Sequence, residues 1–520
     1  MRARAANSIG AHDKAVEAYR TALALAPKNE TLALRALDEG LAAGDRPLAV
    51  AAARALDSSP RLQIGGRLIL LGEALRGRDW RNAGRQIDRI QEDEVFAFLS
   101  PLLRAWLAKD TGKGDPLAFL QNLGDNPLAA AYADEQKPLL LLASGKRKEG
   151  LAALGPVLDQ AGPREARLRI AGAALLARKG DRNEALALLE GEGDALTAAR
   201  ERLRGGKRLS GEISSAPAGI AELLVRIAVD LNAQQVAGLA LDFARVATFL
   251  APDNGEAAIV TGELLEADGK HEAALAALAR VGEDDSFARL AGDNRINLLV
   301  ASGRQEEALA KVRSEVAAAP SASPAWTRLG DLLSRVDRHS EAAEAYGKAL
   351  ALARSGGGAG DREWGLLLLQ GGALVEAGRW EEGKSALEAA YKLAPQQPVV
   401  LNYLGYSQLE RRENVAEAER LIREASRLQP DSAAITDSLG WAHFLRGDLP
   451  KAIELLERAA RGQPADPAIK EHLGDAYFKA GRRYEARYAW EAALVYAEGK
   501  AVPRLRAKVE TGLTADLAAP

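Results

Sequence analysis

The stretch ITDSLGWAHFLRGDLPKAIELLERAARGQP, residues 435–464, gives up side-chain volume where a packed helix normally spends it. Gly440 lies inside an apolar helical pattern, where glycine costs about 1 kcal/mol relative to alanine. Ala452 and Ala459 recur on the apolar face of a second helical segment. Gly447-Asp448 parts the two segments as a C′ glycine followed by an N-cap, and Pro450 is tolerated in the first turn that follows. Two helical arms crossing closely need such residues, because backbones approach only where side chains are absent. The close crossing offsets the helical cost of Gly440.

The pattern recurs with a period of 34. Position 8 of the unit is Gly405, Gly440 and Gly474, preceded by Leu404, Leu439 and Leu473. A small residue follows at Ala418, Ala452 and Ala486, then a large one at Ile422, Leu456 and Trp490, then Ala425, Ala459 and Ala493. Pro430 and Pro464 close two units. Walking backwards, units at 221–254, 255–288, 289–322 and 323–356 follow without insertion, with Gly262 and Gly330 at position 8 and Ala240, Ala274, Ala308 and Ala342 at position 20. SGGGAGD at 355–361 interrupts the array as a loop. Units resume at 364–397, 398–432, 433–466 and 467–500, the second of these one residue long.

The unit resembles the tetratricopeptide repeat (TPR), a helix–turn–helix of this length. The resemblance implies an all-α fold, a right-handed TPR superhelix or α-solenoid of stacked antiparallel helix pairs. The expected organisation is degenerate TPR-like repeats over 1–204, a linker at 205–219, four units over 220–356 and a Gly-rich insertion at 357–363. Four further units fill 364–500, and 501–520 forms a capping helix with a frayed tail. In the first region only Ala15, Tyr19, Ala22 and Pro27, with a unit ending at Pro60, fit the motif. Helical periodicity continues without it through 95–110 and 138–160.

Composition agrees with this class. The 520 residues are 47% apolar but only 5% aromatic, so alanine and leucine carry the core. A net charge of −3 provides no global field for nucleic acid or anionic lipid. The absence of cysteine excludes disulfides, thiolate metal sites and cysteine nucleophiles. No apolar run reaches the roughly 20 residues of a membrane span, and the opening MRARAANSIG lacks a signal peptide's apolar region. In the TPR register, however, the first unit begins before Met1. The expectation is a natural protein longer at its N-terminus, or a trimmed one, with any export signal in the missing part.

No catalytic constellation emerges. The five histidines (His12, His271, His339, His443, His472) form no HExxH or HxxxH pair, and His443 reads as a packing residue. GGGAGD at 356–361 has neither a preceding strand nor GK[ST], so phosphate-loop readings fail. GKRK (145–148) and RLRGGKR (202–208) lack the interleaved aromatics of a nucleic-acid surface. No cofactor, metal or nucleic-acid partner is expected, and the chain reads as non-enzymatic. The competing reading is an enzyme or regulatory module in 62–218, motivated only by that region's departure from the motif.

In a TPR superhelix, positions 2, 5, 6, 9, 12 and 13 of helix A face a concave groove. The resemblance therefore implies a partner-binding surface of Asn402, Tyr403, Tyr406, Asp437, Ser438, Trp441, Phe444, Glu471, His472, Asp475 and Phe478. Asparagine and aspartate can hydrogen-bond an extended backbone, and tyrosine and tryptophan offer rigid apolar contact. This acidic, aromatic set departs from the carboxylate-clamp subclass, which uses Lys, Asn and Arg there.

The phrases NYLGYS, DSLGWAHF and HLGDAYFKAGRRYEA make the C-terminal third similar to bacterial outer-membrane TPR lipoproteins that act as adaptors for a periplasmic C-terminal-processing protease. That resemblance implies a protein or peptide partner, such as a periplasmic protease, and a lipid anchor on a missing N-terminus. A scaffold for envelope polysaccharide export is the alternative within this class. The periplasmic side of the outer membrane is the implied location, or the cytoplasm if Met1 is the native start.

Overall fold

A computed structural model describes residues 12–121, 123, 126–356, 360–499 and 501–518. These contain 29 α-helices and no strand. The half helix A expected before residue 12 lies outside the described residues, as do positions 357–359 of the insertion. Residues Gly360–Arg362 form one 3-10 turn. The chain divides into two compact units, Met1–Arg304 and Gln305–Pro520. The division falls within the expected repeat 289–322.

Unit 1 begins with α1 (His12–Leu25), followed by the hairpins α2–α3 (Glu30–Ala43, Arg46–Ala55), α4–α5 (Ile64–Arg76, Trp80–Gln91) and α6–α7 (Leu99–Thr111, Pro116–Gln121). Next come α8–α9 (Pro127–Ala143, Arg147–Leu158), α10–α11 (Glu165–Arg178, Arg182–Leu188) and α12 (Asp194–Arg204). The hairpins α13–α14 (Ala216–Ala233, Ala237–Leu250) and α15–α16 (Gly255–Ala267, His271–Leu278), then α17 (Ala288–Ala301), complete it. Asn29, Asp45, Asp79, Asn126, Ser215 and Asn254 start helices by accepting backbone N–H bonds with their side chains.

These hairpins do not bury themselves only against sequence neighbours. Helix α14 packs on α2 and α4, and α13 packs on α4, α6 and α8. Both are apolar on nearly every side, the pattern of a helix surrounded by protein. One apolar core therefore runs from Ala15 to Leu298. Gly219 lets α13 lie directly against the Trp106 ring, whose indole N–H donates to Gln136 at 2.9 Å. Residues 205–215 contain no helix, yet they are not a free tether. Leu209 and Ile213 are buried, Arg167 donates to the Gly211 carbonyl at 2.9 Å, and Ser210 bonds Asp285.

A buried ionic hub fastens this unit. Arg164 is bonded to Glu135 and Glu222, and reaches Glu256 at 3.1 Å. Arg167 meets Glu222 at 2.7 Å, and Asn254 donates to the same carboxylate. Four helices, α8, α10, α13 and α15, meet there.

Unit 2 is built locally. It contains α18 (Gln305–Ala318), α19–α20 (Ser323–Arg335, His339–Ser355), α21–α22 (Glu363–Glu376, Trp380–Leu393) and α23–α24 (Pro398–Glu410, Val415–Leu428). Then follow α25–α26 (Ala433–Leu445, Leu449–Gly462), α27–α28 (Pro467–Lys479, Arg483–Leu494) and α29 (Ala501–Thr511). Its core is a series of small clusters, each drawn from consecutive helices: Leu387, Leu401, Leu421 and Ile435 in one, Ala452, Leu456 and Ala476 in another. This is the packing of a repeat stack.

The position-8 glycines recur with one contact. A Cβ on Gly262, Gly330, Gly371 or Gly440 would sit 2.6–2.8 Å from Leu278, Tyr346, Leu387 or Leu456, each sixteen residues later. Gly405 and Gly474 stand in the same way against Ile422 and Trp490. The corner between the two helices is equally regular. Gly269, Gly303, Gly378, Gly447 and Gly481 adopt positive φ there, and Gln235, Asp337 and Arg412 are forced into the same region.

Candidate functional site

The eleven groove residues lie on α23, α25 and α27, and the structure divides them sharply. Asp437, Ser438, Trp441, Glu471, His472 and Asp475 are buried. Asn402, Tyr403, Tyr406, Phe444 and Phe478 are partly exposed.

Helix-to-helix bonding explains the burial. The Asp437 carboxylate on α25 meets His472 Nδ1 on α27 at 2.9 Å. Burial alone would push this imidazole down, but Asp437, with Asp475 and Glu471, holds it above its ordinary value. His472 stacks on Trp441 with centroids 4.2 Å apart, and Trp441 stacks on Phe444 at 4.4 Å. Ser438 donates to its own helix at the Ala434 carbonyl.

Next to this cluster α29 takes the place of a further helix A. Lys508 is fully buried and donates to Glu471 at 2.6 Å and to Asp475 at 2.8 Å. Arg504 binds Glu471 through two nitrogens, at 2.7 and 2.8 Å. Asp475 also accepts the Trp490 indole N–H at 2.9 Å. Burial tends to raise the Glu471 carboxyl, but Arg504 and Lys508 hold it below the usual range. Gly512 packs against Phe478. Acidic residues that suggested a peptide contact are thus spent on the chain's own C-terminal helix.

The helix-A face stays open further upstream. Leu369 on α21 and Val399 on α23 are 39% and 46% exposed, and Leu445 on α25 is 37% exposed. The Tyr403 ring crosses Gly372, whose missing side chain leaves its hydroxyl room. Burial, with Glu376 and Glu410 nearby, pushes this phenol up to about 12. Tyr406 shares a hydrogen bond with Glu410. The Asn402 carboxamide oxygen has no hydrogen-bond partner. Leu369 and Val399 occupy positions 6 and 2 of their repeats, so the register that selected Tyr403 also marks them.

His443 bonds Asp448 at 2.9 Å, a local helix-corner contact. Among the described residues no group of His, Asp or Glu is placed to hold a metal ion, and no helix is long and apolar enough to cross a membrane. The described residues of 62–218 are helices, the turns between them and the packed segment already described.

Taken together, fold and site define a helical-hairpin repeat protein. Tetratricopeptide-repeat family models match residues 368–433, 409–467 and 438–504, and further ones match 1–29 and 323–355. The chain therefore carries tetratricopeptide repeats, which in general mediate protein–protein interaction. It is 41% identical over 58 residues to the TPR repeat-containing protein PA4667 of Pseudomonas aeruginosa, a match covering 11% of this chain. The chain spans 10% of that relative's length. Among solved structures, TTC0263, a thermophilic TPR protein of Thermus thermophilus, is similar at 20% identity, with a TM-score of 0.32, over 37% of this chain and 98% of that one. The pilF protein of Pseudomonas aeruginosa is similar at 21% identity, with a TM-score of 0.32, over 42% of this chain and 97% of that one.

Proposed function

We propose that this chain is a non-enzymatic scaffold that binds a protein or peptide on the helix-A face of α21, α23 and the end of α25. The observation that carries the reading is the exposure of Leu369, Val399 and Leu445 at helix-A positions of three successive repeats. Exposed leucine and valine next to a half-buried tyrosine offer buried contact area to a partner at low ordering cost. Of the expected groove, Asn402, Tyr403, Tyr406 and Phe444 remain in this reading as contacts. Asp437, Trp441, His472, Glu471 and Asp475 become the rigid support beneath them. The narrower role, an adaptor bringing substrates to a periplasmic protease, rests on the sequence resemblance of the C-terminal third.

The test is affinity capture with the full chain from the envelope fraction of the source cells, followed by the double substitution Leu369→Asp and Val399→Asp. The expected result is loss of the captured protein at unchanged melting temperature. Tyr488→Ser, on the exposed side of α28, should keep it. Equal capture by the Asp variant refutes the proposed face.

A further inference from the structure

Unit 1 contains a cationic cavity of about 240 Å3 that the repeat code does not account for. Arg178 at the end of α10, Arg182 at the start of α11, and Lys207 and Arg208 after α12 line it. Glu212 is the one carboxylate among the lining residues. The apolar wall is alanine and leucine, without an aromatic ring.

Few of these cations are spent on the chain's own anions. Arg178 is bonded to Glu212. Arg182 donates to the last carbonyls of α12, those of Leu203 and, at 2.9 Å, Arg204. These bonds satisfy orphan groups of a helix end and bring no counter-charge. Lys207 feels Asp284, but that carboxylate is already bonded to Arg202 at 2.7 Å. The Arg208 side chain makes no hydrogen bond or ion pair among the described residues. Four cations thus face one anion, in a chain whose net charge is −3. Like charges gathered around one concavity repel one another, and an anion between them relieves that repulsion.

The basic loop is fixed from both sides. Gly206 turns at φ 76 and donates to the Leu203 carbonyl at 3.0 Å, while the Lys207 N–H returns to Arg202 at 3.1 Å. Arg202 Nε in turn donates to the Arg208 carbonyl at 2.6 Å. Leu209 is buried directly after it, and Ser210 and Gly211 are bonded to Asp285 and Arg167. A ligand would therefore order side-chain ends and not backbone, which keeps the cost of binding low.

We propose that this cavity binds a diphosphate group. Guanidinium forks pair with phosphate oxygens through parallel N–H···O bonds, and lysine adds a point charge. A terminal phosphate carries about −1.5 to −2 at pH 7, so two joined phosphates match the excess of cations and a single carboxylate does not. The volume lies below the roughly 300–1,000 Å3 of sites for drug-sized molecules, which suits a compact anion better than a length of peptide. With no ring to stack on a base, recognition stops at the phosphates. The cavity stands independently of the helix-A face of unit 2.

The test is isothermal titration calorimetry on the full chain at about 0.15 M salt, with sodium diphosphate, adenosine diphosphate, citrate and sulfate as separate titrants. The two diphosphates should bind with similar affinity, each at least about tenfold tighter than citrate or sulfate. Lys207→Glu and Arg208→Glu, which break no side-chain hydrogen bond, should each lose that binding at unchanged melting temperature. Lys392→Glu, at an exposed position of α22 in unit 2, makes the same change in net charge and should keep it. Leu369→Asp should also keep it, which separates this cavity from the proposed unit 2 face. Undetectable diphosphate binding, or citrate or sulfate binding as tightly as diphosphate, overturns the proposal. Full binding by Arg208→Glu, or equal loss in Lys392→Glu, does the same. A tenfold preference for adenosine diphosphate over inorganic diphosphate also overturns it, by assigning recognition to the nucleoside.

Discussion

Gly405→Ala sets helix propensity against packing, and the geometry decides the sign. Alanine in the interior of α23 gains about 1 kcal/mol of helix propensity. Its Cβ would stand 2.8 Å from the Ala418 carbonyl oxygen, 2.9 Å from Ile422 Cγ1 and 3.2 Å from Leu421 Cβ. The first obstacle is backbone, so relief requires α24 to move rather than a side chain to rotate. Overpacking of a close-packed crossing costs about 1–3 kcal/mol, and a backbone clash belongs in the upper part of that range. The net expectation is destabilisation by about 1–2 kcal/mol. Gly84, inside α5, provides the opposite case, since nothing lies within 4 Å of its added Cβ. Gly84→Ala should stabilise its helix by up to about 1 kcal/mol. Because the chain has two compact units, the readout is hydrogen exchange resolved to α23–α24 and to α5, supported by calorimetry. Faster exchange in α23–α24 and slower exchange in α5 are expected. A neutral or stabilising Gly405→Ala would refute the claim that glycine is there to let backbones cross.

Glu222→Gln should cost unit 1 about 3–5 kcal/mol, because it strips two buried arginines of their shared carboxylate, and urea unfolding followed by Trp106 fluorescence checks it. The raised His472 contributes stability that is fully present below its ordinary value of 6.5 and is lost as pH rises through the folded value. The unit 2 melting temperature should therefore fall across that window, and Asp437→Asn should flatten the dependence. Gln235 holds a left-handed conformation with φ 64 at a corner where other repeats use glycine, so Gln235→Gly should stabilise by about 0.5–1 kcal/mol in thermal unfolding.

Much of unit 2 was legible because each repeat writes its own contacts. Gly405, Gly440 and Gly474 mark the crossings, and Ala418, Ala452 and Ala486 mark the facing positions, so period and packing share one code. The same code runs quietly through the degenerate region. Gly172 faces Leu188 sixteen residues later, the spacing seen at Gly440 and Leu456. What the repeat pattern could not convey is packing between distant repeats. Residues 221–254 fit the motif as an ordinary unit, yet α13 and α14 are surrounded by earlier helices. Their apolar sequence on every side, AELLVRIAV and ALDFARVATFL, was the available signal. Which groove positions the chain's own C-terminal helix covers was hidden for a related reason. Arg504 and Lys508 lie four apart on α29, matching the spacing of Glu471 and Asp475 on α27, and charge complementarity of this kind depends on which helix docks where. RLRGGKR was visible as a basic run, but nothing in sequence says that Arg178 and Arg182 line the same cavity.

The most direct measurement is photocrosslinking in the source cell with a benzophenone amino acid placed singly at Leu369, Val399, Tyr403 and, on another face, Tyr488. One common partner should be joined through the first three positions and be absent from the fourth. Crosslinks arising only from Tyr488, or none from the α21–α23 face to any partner recovered by affinity capture, would contradict the proposed face.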